Sequence, residues 1–102
     1  MMGQMKEMQG KLKERLRTIT LEAEAGDGAV KVTANAAREI VNVTIDPAIV
    51  DAEEVEAIED LVVIAVNRAL ALAAEREAAE SQTMIQDMLP PGLGGLGGLF
   101  GQ

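Results

Sequence analysis

The sequence predicts an α+β fold made of an N-terminal helix, a three-stranded antiparallel β-meander and a long C-terminal helix. The apolar residues carry this prediction through their period. They recur at three- and four-residue steps up to Leu16, alternate from Ile19 to Ile45, and return to helical spacing from Val55. Turn-forming residues fall where the period changes, at Gly26-Asp27-Gly28 and at Asp46-Pro47.

The first helix is amphipathic, with Met1, Met5, Met8, Leu12 and Leu16 on one stripe. Lys6, Lys13 and Arg17 fall on a ridge beside that stripe, and Lys11 with Arg15 form an i,i+4 basic pair on the other flank. Gly10 weakens the helix by about 1 kcal/mol relative to alanine. From Thr18 the period becomes two. Ile19, Leu21, Ala23 and Ala25 alternate with polar residues, as a half-buried strand requires. Gly26-Asp27-Gly28 supplies the positive-φ positions of a tight hairpin. A second strand alternates Val30, Val32 and Ala34, and a third alternates Val41, Val43 and Ile45 until Pro47 stops it, because proline cannot donate to the ladder.

The second helix opens at Asp51, an N-cap, with Glu54 placed as in a capping box. The cluster Glu53, Glu54, Glu56, Glu59 and Asp60 lies in its first turns, where carboxylates suit the helix dipole, so no metal site is needed to explain it. Val55, Ile58, Val62, Ala65, Val66, Ala69 and Ala73 make a stripe that can cover the sheet. Val63, Leu70 and Ala74, with Ile64 and Ala71 beside them, lie on other faces. A helix apolar nearly all round must be buried nearly all round. A second copy of the chain is the economical partner, and Val63, Ile64, Leu70, Ala71 and Ala74 are the expected dimer interface. The alternative is a monomer in which the first helix folds back over that surface. Pro90-Pro91 ends the helix, so the expected organisation is one domain over 1–89 followed by a flexible Gly/Leu-rich tail over 90–102.

Composition narrows the chemistry. The chain has 102 residues with no cysteine and no histidine, which removes disulfides, thiolate metal sites, the commonest general base and the commonest zinc ligand. No glycine-rich loop joins a strand to a helix, and no carboxylate sits in an apolar stretch that would raise its pKa. The reading is therefore a non-enzyme with no cofactor, no metal and no small-molecule substrate. No signal-peptide-like stretch opens the chain, and the run from Leu61 to Ala74 is short of the roughly 20 residues that span a bilayer, so a cytoplasmic protein without a membrane partner is expected.

The formal net charge is −8, yet the charge is unevenly placed. Residues 1–17 hold five basic and two acidic side chains, whereas the remainder holds four basic and fifteen acidic. A basic leading segment on an acidic body is an asymmetry that can mark a nucleic-acid contact. With Phe100 as the one aromatic there is no platform for stacking unpaired bases, so double-stranded DNA read through its phosphates is the expected target. Lys6, Lys11, Lys13, Arg15 and Arg17 are the candidate DNA-binding residues. The competing reading is a protein-interaction adaptor in which the Met-rich face of the first helix takes a partner peptide.

The ordered set Ile45-Asp46-Pro47, an acidic linker, Glu59-Asp60-Leu61-Val62, then Ala65, Asn67 and Ala69 resembles the YbaB/EbfC family of bacterial nucleoid-associated proteins. The opening from Met5 to Lys13 and the run Leu89-Pro90-Pro91-Gly92 are similar to that family as well. The resemblance implies a helix–three-strand–helix subunit and a tweezers-like homodimer with projecting helices. It also implies a nucleoid-associated protein that binds duplex DNA with loose sequence preference, organises the nucleoid and modulates gene expression. The chain departs from the family at Ala36, where a glycine is expected after Asn35.

Overall fold

The computed structural model describes residues 2–88, with the side chains of residues 3–87. Met1 of the expected stripe, Leu89, the Pro90-Pro91 break and the Gly/Leu segment from Gly92 to Gln102 lie outside the described residues. The elements are α1 (Met2–Arg17), β1 (Thr20–Ala25), β2 (Val30–Asn35), β3 (Ile40–Ile45), two single 3₁₀ turns (Pro47–Ile49 and Ala52–Glu54) and α2 (Val55–Met88). The architecture is α+β, and the strands form one antiparallel sheet in the order β1-β2-β3.

Helix α1 runs unbroken through Gly10 and ends where the Thr18 hydroxyl donates to the Arg15 carbonyl at 2.6 Å. The β1–β2 turn places Gly26, Asp27 and Gly28 at φ of 65°, 57° and 87°, the left-handed conformations expected from their sequence. Gly26 is fixed by packing as well. A Cβ there would sit 3.0 Å from a methyl of Leu61, so the hairpin tip is held against α2.

The second hairpin is built differently. Ala36 is fully buried, and the positive φ, 63°, falls on Arg38 instead. Asn35 organises this turn with its side chain. Its Oδ1 accepts from the backbone N–H groups of Ala37 (3.0 Å) and Glu39 (3.1 Å), and its Nδ2 donates to the Glu39 carboxylate at 2.9 Å. The glycine expected after Asn35 is unnecessary because the side-chain bonds, rather than local backbone freedom, shape the loop.

Leu21, Ala23, Ala25, Val30, Val32 and Ala34 turn to one face of the sheet, against α2. The third strand is shifted by a bulge. Thr33 pairs with Asn42 but Ala34 pairs with Ile40, so Val41 is left out of the ladder. Ile40 therefore shares the face of Val43 and Ile45, in place of the expected Val41, which is 57% exposed.

The core is built mostly from alanine. Ala65, Ala69 and Ala73 of α2 are fully buried over the sheet, and Val30 and Val32 are the largest fully buried side chains. Small residues on both surfaces let a helix lie close to a sheet while burying little apolar area per residue. Asp51 caps as expected, accepting from the Glu53 N–H at 3.0 Å, but the cap closes the 3₁₀ turn that leads into α2. Asp46 does the same for the Pro47 turn. At 34 residues α2 is about 50 Å long, whereas six-residue strands span about 20 Å. The C-terminal half of α2 thus overhangs the sheet, and α1 lies along this overhang.

Candidate nucleic-acid interface

Helix α1 is joined to the body at its C-terminal end. Leu16 is only 4% exposed, and its carbonyl and that of Ile19 both accept from the Ala36 N–H, at 3.1 and 2.9 Å. Two of the five candidate DNA-binding residues serve this joint. Arg15 pairs with Glu80 of α2 at 3.2 Å, and Arg76 holds the same carboxylate at 3.0 Å. Glu80 is a largely covered anion with two guanidinium partners, since its side chain is 12% exposed. Arg17 binds Glu39 through two parallel bonds of 3.0 and 3.2 Å, the fork geometry that suits a carboxylate. The Asn35 amide, and after it the Arg17 guanidinium, hold the Glu39 carboxyl below its ordinary pKa. Partial desolvation opposes this, and the Arg17 and Lys13 charges add to the lowering.

The other arginines are engaged as well. Arg38 pairs with Glu77 at 3.4 Å, and Arg68 donates to the Glu24 carbonyl of β1 at 2.9 Å. Every arginine in the chain thus makes a bond within the fold. The lysines differ: among the described residues, no lysine takes part in an ion pair. Lys6, Lys11 and Lys13 are exposed on α1. Lys31 stands on β2, opposite Glu24 in the ladder and away from α1.

The structure therefore separates the five candidate residues into two groups. Lys6, Lys11 and Lys13 form an open cationic segment, with Lys6 and Lys13 on one flank and Lys11 on the other. Arg15 and Arg17 sit on those same flanks but are committed to Glu80 and Glu39. The sequence holds no signal for that commitment, because both acidic partners lie far along the chain. Asn35 and Glu39, which set the position of Arg17, were not among the sequence candidates for the same reason.

The five residues expected at a dimer interface all lie away from the sheet. Val63 and Ile64 are 59% and 42% exposed. Leu70, Ala71 and Ala74 line an open hollow with Ala37, Arg38 and Asn67, beside the Asn35 turn. Among the described residues, no group of acidic side chains is arranged to hold a metal ion, and no helix is long and apolar enough to cross a membrane.

Residues 1–88 match the model of the YbaB/EbfC DNA-binding family. A nucleoid-associated protein of Moorella thermoacetica is 46% identical over 82 residues, covering 80% of this chain and 79% of that protein. One from Chloroflexus aurantiacus is 35% identical over 100 residues, covering 98% of this chain and 92% of that protein. Among solved structures, the uncharacterised protein HP0035 of Helicobacter pylori shares the fold with a TM-score of 0.68 at 24% identity, over 82% of this chain and 88% of that one. A chain of helix, meander and long helix, matched over residues 1–88 by the family model and over 98% of its length by the Chloroflexus relative, belongs to the YbaB/EbfC DNA-binding family.

Proposed function

We propose that this chain is a nucleoid-associated protein that binds double-stranded DNA with little sequence preference, as a homodimer, through phosphate contacts made by the lysines of α1. The observation that carries the reading is the division of cations just described. A phosphate contact needs a positive group whose charge is not already spent, and Lys6, Lys11 and Lys13 are such groups. Family membership supports DNA as the partner, as do the nucleoid-associated names of the relatives.

The homodimer is supported by what α2 leaves uncovered. It lies over β1 and β2, so Ile40 and Val43 of β3 and Val63 and Ile64 of α2 are exposed apolar side chains in a chain with a thin core. A second copy seated on Val63, Ile64, Leu70, Ala71 and Ala74 would remove the α2 part of that surface from water and set two α1 segments in symmetry-related positions. The reaction-free reading, the cytoplasmic and nucleoid location, the role in gene regulation and the 1–89 domain boundary belong to the same proposal.

A titration of labelled random-sequence duplex at low and near-physiological salt tests it. Six lysines per dimer give a slope of log K against log salt no steeper than about −5, at about −0.9 per phosphate. A slope near −9 would mean that Arg15 and Arg17 leave their carboxylates to join the contact. No binding at low salt would overturn the reading. It would favour the adaptor alternative, for which the specific observation is the exposed apolar face at Met5, Met8 and Ile85. Peptide binding there would be nearly indifferent to salt.

A further inference from the structure

Beyond the Arg15–Glu80 pair, α1 and α2 face each other across a groove of about 380 Å³, lined by Met5, Met8 and Leu12 of α1 and by Met84 and Ile85 of α2. The polar residues in its lining, Gln9 and Ser81, are neutral. Among the described side chains the three methionines all meet in this groove, whereas the buried apolar core is alanine, valine and Leu16. Met5 is 65% exposed and Met8 36%, while Met84 is half-buried. The chain has no cysteine, so no thiol of its own competes for an oxidant that reaches them.

We propose that Met5, Met8 and Met84 form a sulfoxidation site at which peroxide frees the open end of α1 from α2 while the body stays folded. In the step, a thioether lone pair attacks one oxygen of hydrogen peroxide. The S–O bond forms as the O–O bond breaks, and the departing hydroxide takes up the remaining hydroxyl proton. The products are a sulfoxide and water, with sulfur losing the two electrons that the peroxide gains. Exposure orders the three sites, Met5 first and Met84 last.

The consequence follows from what the groove can accept. A thioether is apolar and unbranched, and it packs beside Leu12 and Ile85 without needing a hydrogen-bond partner. Its sulfoxide is a polar acceptor, unfavourable to bury without a donor. Water is the readiest donor, and it enters when α1 swings away from α2. Met8 and Met84 are the more covered pair, so their oxidation has the larger effect, whereas Met5 is largely in water already. A 16-residue helix containing Gly10 is marginal without tertiary packing, and no neighbour within 4 Å requires a glycine there. At the base of α1, Leu16 and the Arg15–Glu80 and Arg17–Glu39 pairs contain no sulfur, so the joint persists and serves as the pivot. Lys6, Lys11 and Lys13 ride on the released segment, so oxidation changes how α1 presents its cations, whatever their partner.

The test treats the full chain with hydrogen peroxide, follows each methionine by peptide mass spectrometry and measures amide hydrogen exchange alongside. Oxygen should be gained at Met5, then at Met8 and Met84. Exchange of the amides from Met5 to Leu12 should then accelerate by about tenfold or more, with those from Ala65 to Ala73 unchanged. The two epimer-specific sulfoxide reductases, supplied with a dithiol, should restore the slow exchange. Met5→Leu with Met8→Leu and Met84→Leu conserves volume and keeps three of the chain's six methionines, and its exchange should be indifferent to peroxide. An equal response from this variant would overturn the proposal. So would sulfoxides at all three positions with α1 exchange unchanged, or α1 amides that exchange at the unfolded rate before any oxidation. Equal acceleration from Ala65 to Ala73 would also overturn it, because the whole chain would then be opening. The parent, oxidised and then reduced, decides the matter even where the leucine variant folds poorly.

Discussion

The two ends of α1 carry the same kind of residue and do different things with it. At the C-terminal end Arg15 and Arg17 are bonded to Glu80 and Glu39, and Leu16 is buried between them. Toward the open end Lys6 and Lys11 are exposed without a partner among the described residues, and Lys13 lies close enough to Glu39 to feel its charge without bonding to it. The difference follows from side-chain chemistry. A guanidinium offers a planar fork that fixes a carboxylate in one geometry, whereas an ammonium on a flexible stem stays hydrated and available. A basic helix can thus be read as two regions, a joint and an open cationic surface proposed for contact, although its net charge alone does not separate them.

The sharpest way to break that comparison is to reverse the contact surface. Lys6→Glu with Lys13→Glu removes four cations from the proposed dimer. Each phosphate contact contributes about eightfold at 0.1 M salt relative to 1 M, so affinity for random duplex should fall by up to about 4000-fold. The circular dichroism spectrum should be unchanged, because neither lysine bonds within the fold. An equal loss from Arg17→Gln alone, with the fold intact, would show that the joint and the surface are not separate.

The dimer provides the next largest effect. Leu70→Asp, or Val63→Asp, puts a charge on the surface assigned to the second copy and should give a monomer by sedimentation. With three free lysines in place of six, the salt slope should halve, and affinity at 0.1 M salt should drop by about 500-fold. A variant that stays dimeric would move the interface elsewhere, with the exposed strand β3 as the first place to look.

Much of this architecture is legible in the residues themselves, and the exceptions have a common cause. The strands at Leu21–Ala25 and Val30–Ala34, and the buried Ala65, Ala69 and Ala73, follow from period alone because each side chain's face is fixed by its neighbours in the chain. The Gly26-Asp27-Gly28 turn follows from local backbone chemistry. What period does not reveal is set by contacts across the fold. The bulge that moves Val41 out of the ladder arises in the pairing of β2 with β3. The turn at Asn35 works through bonds to Glu39, so its positive φ falls on an arginine that no turn rule would choose. The commitment of Arg15 and Arg17 depends on carboxylates that only the fold brings near. Lys6, Lys11 and Lys13 were identifiable as cations from the sequence, but that they are the unpaired ones was not.

Stability sharpens the comparison from the other side. Leu16→Ala removes a side chain that is almost fully buried at the joint and should cost about 3 kcal/mol in chemical denaturation, within the range found for buried leucines. Met5→Ala, eleven residues earlier on the same stripe, should cost under about 1 kcal/mol, since its side chain is largely exposed. Similar costs at the two positions would mean that the open end of α1 is packed as firmly as its base.

The smallest effect concerns the Arg17–Glu39 pair and is best read as a change with pH. Glu39 binds its proton less readily in the folded chain than in the unfolded one, because the Asn35 amide and the Arg17 guanidinium favour its ionised form. The folded pKa is depressed, so the stabilisation is fully present above the unfolded carboxylate range and is lost as pH falls through that range toward the folded value. In Arg17→Gln the Asn35 bond persists while the guanidinium bonds and charge go, so only part of the depression should remain. The melting temperature of the variant should lie slightly below that of the parent at neutral pH. The two should converge on acidification, and the parent should show the steeper loss below the ordinary carboxylate range. Parallel curves down to the lowest pH at which both fold would mean that the paired arginine adds nothing to the joint. The distinction between arginines that hold α1 and lysines that present it would then rest on Arg15 and Glu80.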